Sequence, residues 1–134
     1  MLKRIDHVGV VVDNLQDARD FVTKLGMTLD HEFDLGRVQA AFYRCGDTMI
    51  EFLEVKDPVE REKRLGSDAA RIEHIAFEVE NLAGAVLELS SLGVQMKFPE
   101  PLENAGKLNN WTVPETSDGV GYQFVESLTP STNE

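Results

Sequence analysis

Residues 5–12 are rich in β-branched side chains and predict a strand whose polar end runs into Asp13, an expected helix N-cap with Gln16 three residues later. Leu15, Ala18, Phe21, Val22 and Leu25 follow at helical spacing on one face, and Gly26 stands where a left-handed residue ends a helix. Shorter runs at about 28–34, 38–45 and 48–55 predict three further strands. The pattern then returns. A strand led by Ile72 is followed by a helical stripe of Leu82, Ala85, Val86, Leu89 and Leu92, with Gly93 as its stop. Strands are expected at 94–98, 109–114 and 120–126, with a loop containing Pro and Gly over 99–108.

This recurrence is an internal duplication. Ile5-Asp6-His7-Val8-Gly9-Val10-Val11-Val12-Asp13-Asn14-Leu15 aligns without gaps onto Ile72-Glu73-His74-Ile75-Ala76-Phe77-Glu78-Val79-Glu80-Asn81-Leu82 at an offset of 67 (74 − 7), and the same offset carries Leu25-Gly26 onto Leu92-Gly93. Ile50-Glu51-Phe52-Leu53-Glu54 matches Tyr122-Gln123-Phe124-Val125-Glu126 at an offset of 72 (123 − 51), so a loop insertion lengthens the second half. The expected fold class is α+β, two tandem βαβββ modules with pseudo-twofold symmetry in a single domain over 1–134: module 1 at about 1–56, a linker at 57–70 and module 2 at about 71–127. One helix cannot cover a sheet on both faces, so two such units must pack or pair to close a core.

Strand alternation places His7 on a face with Ile5, Gly9 and Val11, and turns Val8, Val10 and Val12 toward the helix. His74 has the same place, with Ala76 standing where Gly9 does; small neighbours leave room for an ion or ligand. Glu51 and Gln123 are equivalent to each other, each between apolar residues that take the helix side. On a dry face they would be costly unless paired or coordinated. His7, Glu51, His74 and Gln123 are therefore the expected ligands of one divalent metal ion, a mixed nitrogen and oxygen set open to nickel, cobalt, zinc, manganese or iron. A lone strand histidine is more often structural; the paired repeat is what favours a ligand reading. His31 lacks such support and is expected to be exposed. Glu54 and Glu126 also repeat, but their parity puts them on the opposite face as strand-end surface residues.

Composition narrows the partners. A formal net charge of −11, from 24 acidic and 13 basic side chains, disfavours nucleic acid. The densest basic stretch, Arg61 to Arg64, reads as a solvated surface, with a weaker reading in which one of its cations meets an anionic substrate. No run reaches the ~18 apolar residues of a membrane span, and Met1 leads into a strand-like run rather than a signal segment, so a cytoplasmic location is expected. Cys45, the single cysteine, is expected to be a buried strand residue.

At 5–10, 46–54, 72–79 and 119–126 the chain resembles the vicinal oxygen chelate superfamily of glyoxalase I, methylmalonyl-CoA epimerase, extradiol dioxygenases and bleomycin-resistance proteins, with the epimerase branch nearest and glyoxalase I next. The resemblance covers about 5–125. It implies the glyoxalase-like fold and a divalent metal held by His7, Glu51, His74 and residue 123, with substrate oxygens at the open positions. It further implies proton transfer beside a carbonyl, by an isomerase or lyase. Both nearest branches carry Glu where this chain has Gln123, and an amide is no useful base at neutral pH, so Glu51 becomes the expected catalytic base. The alternatives are a metal-free small-molecule binding or resistance protein, whose cleft Trp111, Phe42 and Tyr43 would line, and, further off, an extradiol-type dioxygenase. The family also implies a homodimer.

Overall fold

The computed structural model describes residues 1–128. Its elements run β1 (Leu2–Val12), α1 (Leu15–Lys24), β2 (Thr28–Asp34), β3 (Val38–Cys45), β4 (Thr48–Val55), α2 (Pro58–Arg64), β5 (Ala70–Val79), α3 (Leu82–Ser91), β6 (Leu102–Asn104), β7 (Lys107–Trp111) and β8 (Gln123–Ser127). The fold is α+β. Contacts divide the chain into two compact units, one comprising His7–Glu73 and the other Met1–Asp6 with the chain from His74 onward. No helix among the described residues is long and apolar enough to cross a membrane.

In the His7–Glu73 unit the strand order is β2-β3-β4-β1. β1 and β4 are parallel, whereas β2, β3 and β4 form antiparallel hairpins. The two sheet faces have different partners, as alternation along β1 predicts. Val12 joins Leu15 and Val22 of α1, together with Ala41 and Tyr43, while Val11 joins Phe42, Met49, Leu53 and Leu65 on the other face. Burying Leu15 and Val22 anchors α1 with roughly 1.5–3 kcal/mol from each side chain. Phe21 and Leu25, expected in that stripe, are exposed. Successive helical positions turn by about 100°, which carries Phe21 off the face that Val22 occupies. Leu25 is the C-cap, where the chain leaves the helix for Gly26 at φ +76°. The N-cap is Asn14 rather than Asp13: its side chain accepts from the Asp17 backbone N–H. Asp13 instead pairs with Arg61.

The segment at 57–70, expected to link the halves, contains α2 and packs within this unit. Pro58 sits in the first turn and Asp57 caps the helix by accepting from Glu60 N–H. Leu65 is completely buried, and Arg61 Nη1 donates to the Val55 carbonyl at 3.0 Å. Cys45, at the end of β3 beside a tight hairpin, is exposed rather than buried.

The other unit repeats the topology as β5-β8-β7-β6, with β5 and β8 parallel. Val79, Leu82, Ala85 and Phe124 form its core on the helix side, and Asn81 caps α3 as Asn14 caps α1. Leu92, again a C-cap, is exposed. Regularity is lost after α3. The alternating run at 94–98 forms no strand beyond an isolated Met96–Thr112 bridge. At Phe98 the Asn110 side chain replaces a neighbouring strand, accepting from Phe98 N–H and donating to Phe98 O. Pro99 and Pro101 then limit continuation of a ladder, since neither carries a backbone N–H. The expected loop at 99–108 holds β6 and the start of β7 instead. The two join through Ala105 and Gly106 at φ +52° and +76°, a two-residue hairpin of the kind that needs left-handed positions.

Glu54 and Glu126 do lie on the helix side, but they are not surface ends. Glu54 accepts from the Leu15 backbone N–H at 2.8 Å, and Glu126 accepts from Leu82 N–H at 2.7 Å. Each closing strand thus supplies a carboxylate to an unsatisfied N–H at the start of its own helix, where negative charge is also favoured.

Candidate metal centre

The closing strand of each unit delivers one oxygen donor beside the strand that carries a histidine. In the His7–Glu73 unit Gly9 pairs with Glu51 across the parallel β1–β4 ladder, so Glu51 and His7, two residues back, share a face. His7 Nε2 lies 3.3 Å from Glu51 Oε1, and the two residues are only 4% and 6% exposed. A carboxylate on a face shared with Met49 and Leu53 requires a polar partner, and the imidazole is one. The edge of His7 meets the Phe42 ring, with centroids 5.2 Å apart, and His31 stacks on Phe42 at 4.3 Å. His31 is itself exposed, as expected, and pairs with Asp30.

α2 contributes a cation to the same unit. Arg64 holds Glu73 through two bonds of 2.7 Å, from Nε and Nη2. These bonds raise the Arg64 pKa against the opposing effect of burial, and the field of Glu51 adds to the rise. Arg64 is therefore neither a solvated surface residue nor an idle cation. Sequence could place it on a helix but gave no sign that it faced Glu73.

In the other unit Ala76 pairs with Gln123 across the parallel β5–β8 ladder, repeating the Gly9–Glu51 register. Gln123 and His74 hence share a face, each 8% exposed. Gln123 Nε2 donates to Asn109 Oδ1 at 2.9 Å. Trp111 lies opposite Gln123 on β7 and makes an edge contact with Phe98. Trp111 is half-buried, whereas Phe42 and Tyr43 belong to the buried clusters.

All four expected ligand residues are buried, and His7, Glu51 and His74 offer the nitrogen and carboxylate oxygen atoms that hold metal ions. Contact joins His7 to Glu51; strand register aligns His74 with Gln123. Asn109 was missed by sequence reasoning. Its signal is a break in the repeat: Asn109 faces Val125 as Ala40 faces Leu53, so a polar residue replaces a small apolar one, and only the strand register exposes that equivalence.

Comparison with known proteins matches residues 4–124 to the model of the Glyoxalase/Bleomycin resistance protein/Dioxygenase superfamily. The uncharacterized protein YqjC of Bacillus subtilis (strain 168) is 29% identical over 141 residues, covering 99% of each chain. Among solved structures, methylmalonyl-CoA epimerase from Mycobacterium tuberculosis is similar with a TM-score of 0.86 and 24% identity, over 96% of this chain and 90% of that one. Hypothetical protein BH1468 from Bacillus halodurans C-125 is similar at 0.82 and 30% identity, over 97% and 98%.

Proposed function

The chain belongs to the Glyoxalase/Bleomycin resistance protein/Dioxygenase superfamily, and from that premise we propose that it is a divalent-metal-dependent isomerase or lyase that moves a proton at a carbon next to a carbonyl, as an epimerase or glyoxalase I does. His7, Glu51, His74 and Gln123 are the proposed ligands. The donor set fits: imidazole, carboxylate and amide oxygen together suit a first-row divalent ion with positions left for substrate. The observation that carries the reading is the buried His7–Glu51 contact at 3.3 Å, on a strand register repeated by Ala76 and Gln123.

When bound, the ion supplies a Lewis acid for the substrate carbonyl oxygen. Glu51 supplies the base. It is the only proposed ligand whose oxygen carries a negative charge, and Gln123 accepts no proton usefully at neutral pH. His7 orients the Glu51 carboxylate, while Phe42, Met49 and Leu53 exclude water around it. The substrate is a small molecule, and the resemblance to methylmalonyl-CoA epimerase makes an acyl thioester the first compound to test. A homodimer in the cytoplasm is the setting proposed for it.

Solvent exchange tests this reading. Protein supplied with Co²⁺ is expected to incorporate deuterium from D₂O at the α-carbon of methylmalonyl-CoA or of a glyoxalase-type hemithioacetal, and Glu51→Gln is expected to lose that exchange by about 10²–10⁴-fold with the fold retained. Wild-type exchange by the Glu51→Gln protein would remove Glu51 from the mechanism.

A further inference from the structure

We propose that Asn109 is a positioning residue that presents Gln123 as a neutral oxygen donor and makes position 123 selective for an amide over a carboxylate; this rests on the metal reading above. Asn109 Nδ2 is directed to two backbone carbonyls, Leu102 O at 3.4 Å and Lys107 O at 3.3 Å. Those contacts make Nδ2 the donor end and leave Oδ1 as the acceptor that faces Gln123. Gln123 Nε2 fills that acceptor at 2.9 Å. With its nitrogen committed, the free end of the Gln123 amide is Oε1, the atom a hard or borderline cation takes.

The register of β7 holds this arrangement. The Ala105-Gly106 hairpin sets Asn109 against Leu102 on one side and Val125 on the other, and Trp111 against Gln123. Asn109 and Trp111 lie two residues apart, so both share the Gln123 face. In the first unit the matching place beside Glu51 is Ala40, which offers no side-chain acceptor. A carboxylate at 123 would meet an Asn109 oxygen held in place by the carbonyls behind its amide, whereas the Glu51 carboxylate meets no such group from Ala40. The neutral side chain at 123 is thus matched by its neighbour Asn109.

The test combines metal affinity with a readout on metal-free protein. Titration with Co²⁺ is expected to show Asn109→Ala weakening binding about 10–100-fold, the usual cost of removing a partner that orients a ligand. In a Gln123→Ala background the same change is expected to do nothing further. In a Gln123→Glu background it is expected to leave affinity unchanged or to raise it, since the opposing oxygen has gone. Equal weakening in all three backgrounds, as a merely structural role gives, or no weakening in the wild type, overturns the proposal. In metal-free protein the Gln123 side-chain NH₂ resonances are expected to be protected from solvent exchange and to lose that protection in Asn109→Ala; an unprotected wild-type amide overturns it too. Wild-type Co²⁺ affinity in a His7→Ala, His74→Ala protein defeats the metal reading, and with it the ligand role of Gln123. Amide protection would still report separately on the Asn109–Gln123 bond.

Discussion

The two halves share a register and differ in charge. Gly9 pairs with Glu51 as Ala76 pairs with Gln123, but the first oxygen donor is a carboxylate against an imidazole and the second is an amide tied to Asn109. Asn14 and Asn81 cap the helices alike, and Glu54 and Glu126 reach the same helix N–H groups. Duplication has preserved the scaffold, and the two closing strands have diverged at the residues proposed to meet the ion. In the proposed site the first half carries the proton acceptor and the second contributes only a neutral oxygen donor.

The largest expected effect separates those two roles. Glu51→Gln should remove proton transfer by about 10²–10⁴-fold, whereas Gln123→Ala should act chiefly through Co²⁺ affinity and recover turnover as the ion is raised toward saturation. Turnover assays across a Co²⁺ series read this, and failure of Gln123→Ala to recover would make the halves equal partners in the chemistry. Next come the cores. Leu15→Ala and Leu82→Ala each remove a buried anchor of equivalent helices, and each should cost about 2–5 kcal/mol in denaturant unfolding. A loss confined to one of them would show that the helices are equivalent in position but not in support.

Glu54→Ala and Glu126→Ala should each cost roughly 1 kcal/mol, measured by thermal melting, because each leaves a helix N–H without its carboxylate. The smallest effect is a pH dependence in the first half. Burial pushes the Glu54 pKa up, but the Lys56 side chain and the Leu15 N–H outweigh it and hold the group below the usual glutamate range. Its folded form therefore binds protons less readily than the unfolded chain, so its contribution is present above the unfolded pKa and is lost as pH falls through the folded one. Glu54→Gln should narrow the stability difference between neutral and acidic buffer by about a fraction of a kcal/mol, because its Lys56 partner is exposed and water screens that pair.

Much of the first half was legible in sequence. The expected strands at 28–34, 38–45 and 48–55 coincide with β2, β3 and β4: Gly26, Gly36 and Gly46 at positive φ mark the turns before them, β3 carries the apolar run Ala40-Ala41-Phe42-Tyr43, and β4 alternates. The second half was less so. Its 94–98 run alternates as a strand does, yet prolines follow it and the Asn110 side chain occupies the hydrogen-bonding place of a neighbour. Stripe counting overreached at Phe21, Leu25 and Leu92, since apolar residues at a helix margin or C-cap need not face the core. The proposed ligands stand out in the sequence because duplication marks their positions twice. Asn109 and Arg64 were not, because each acts through a partner that only the fold supplies: Gln123 across a strand pair, and Glu73 nine residues further along the chain.

Both halves are proposed to serve one ion. Metal content of untagged protein by elemental analysis, compared for the wild type, His7→Ala and His74→Ala, tests it most directly. One divalent ion per chain in the wild type, lost from both single variants alike, is the predicted result. Stoichiometric metal surviving in either variant, or none in a wild-type protein purified with nickel, cobalt, zinc, manganese and iron supplied, would contradict it.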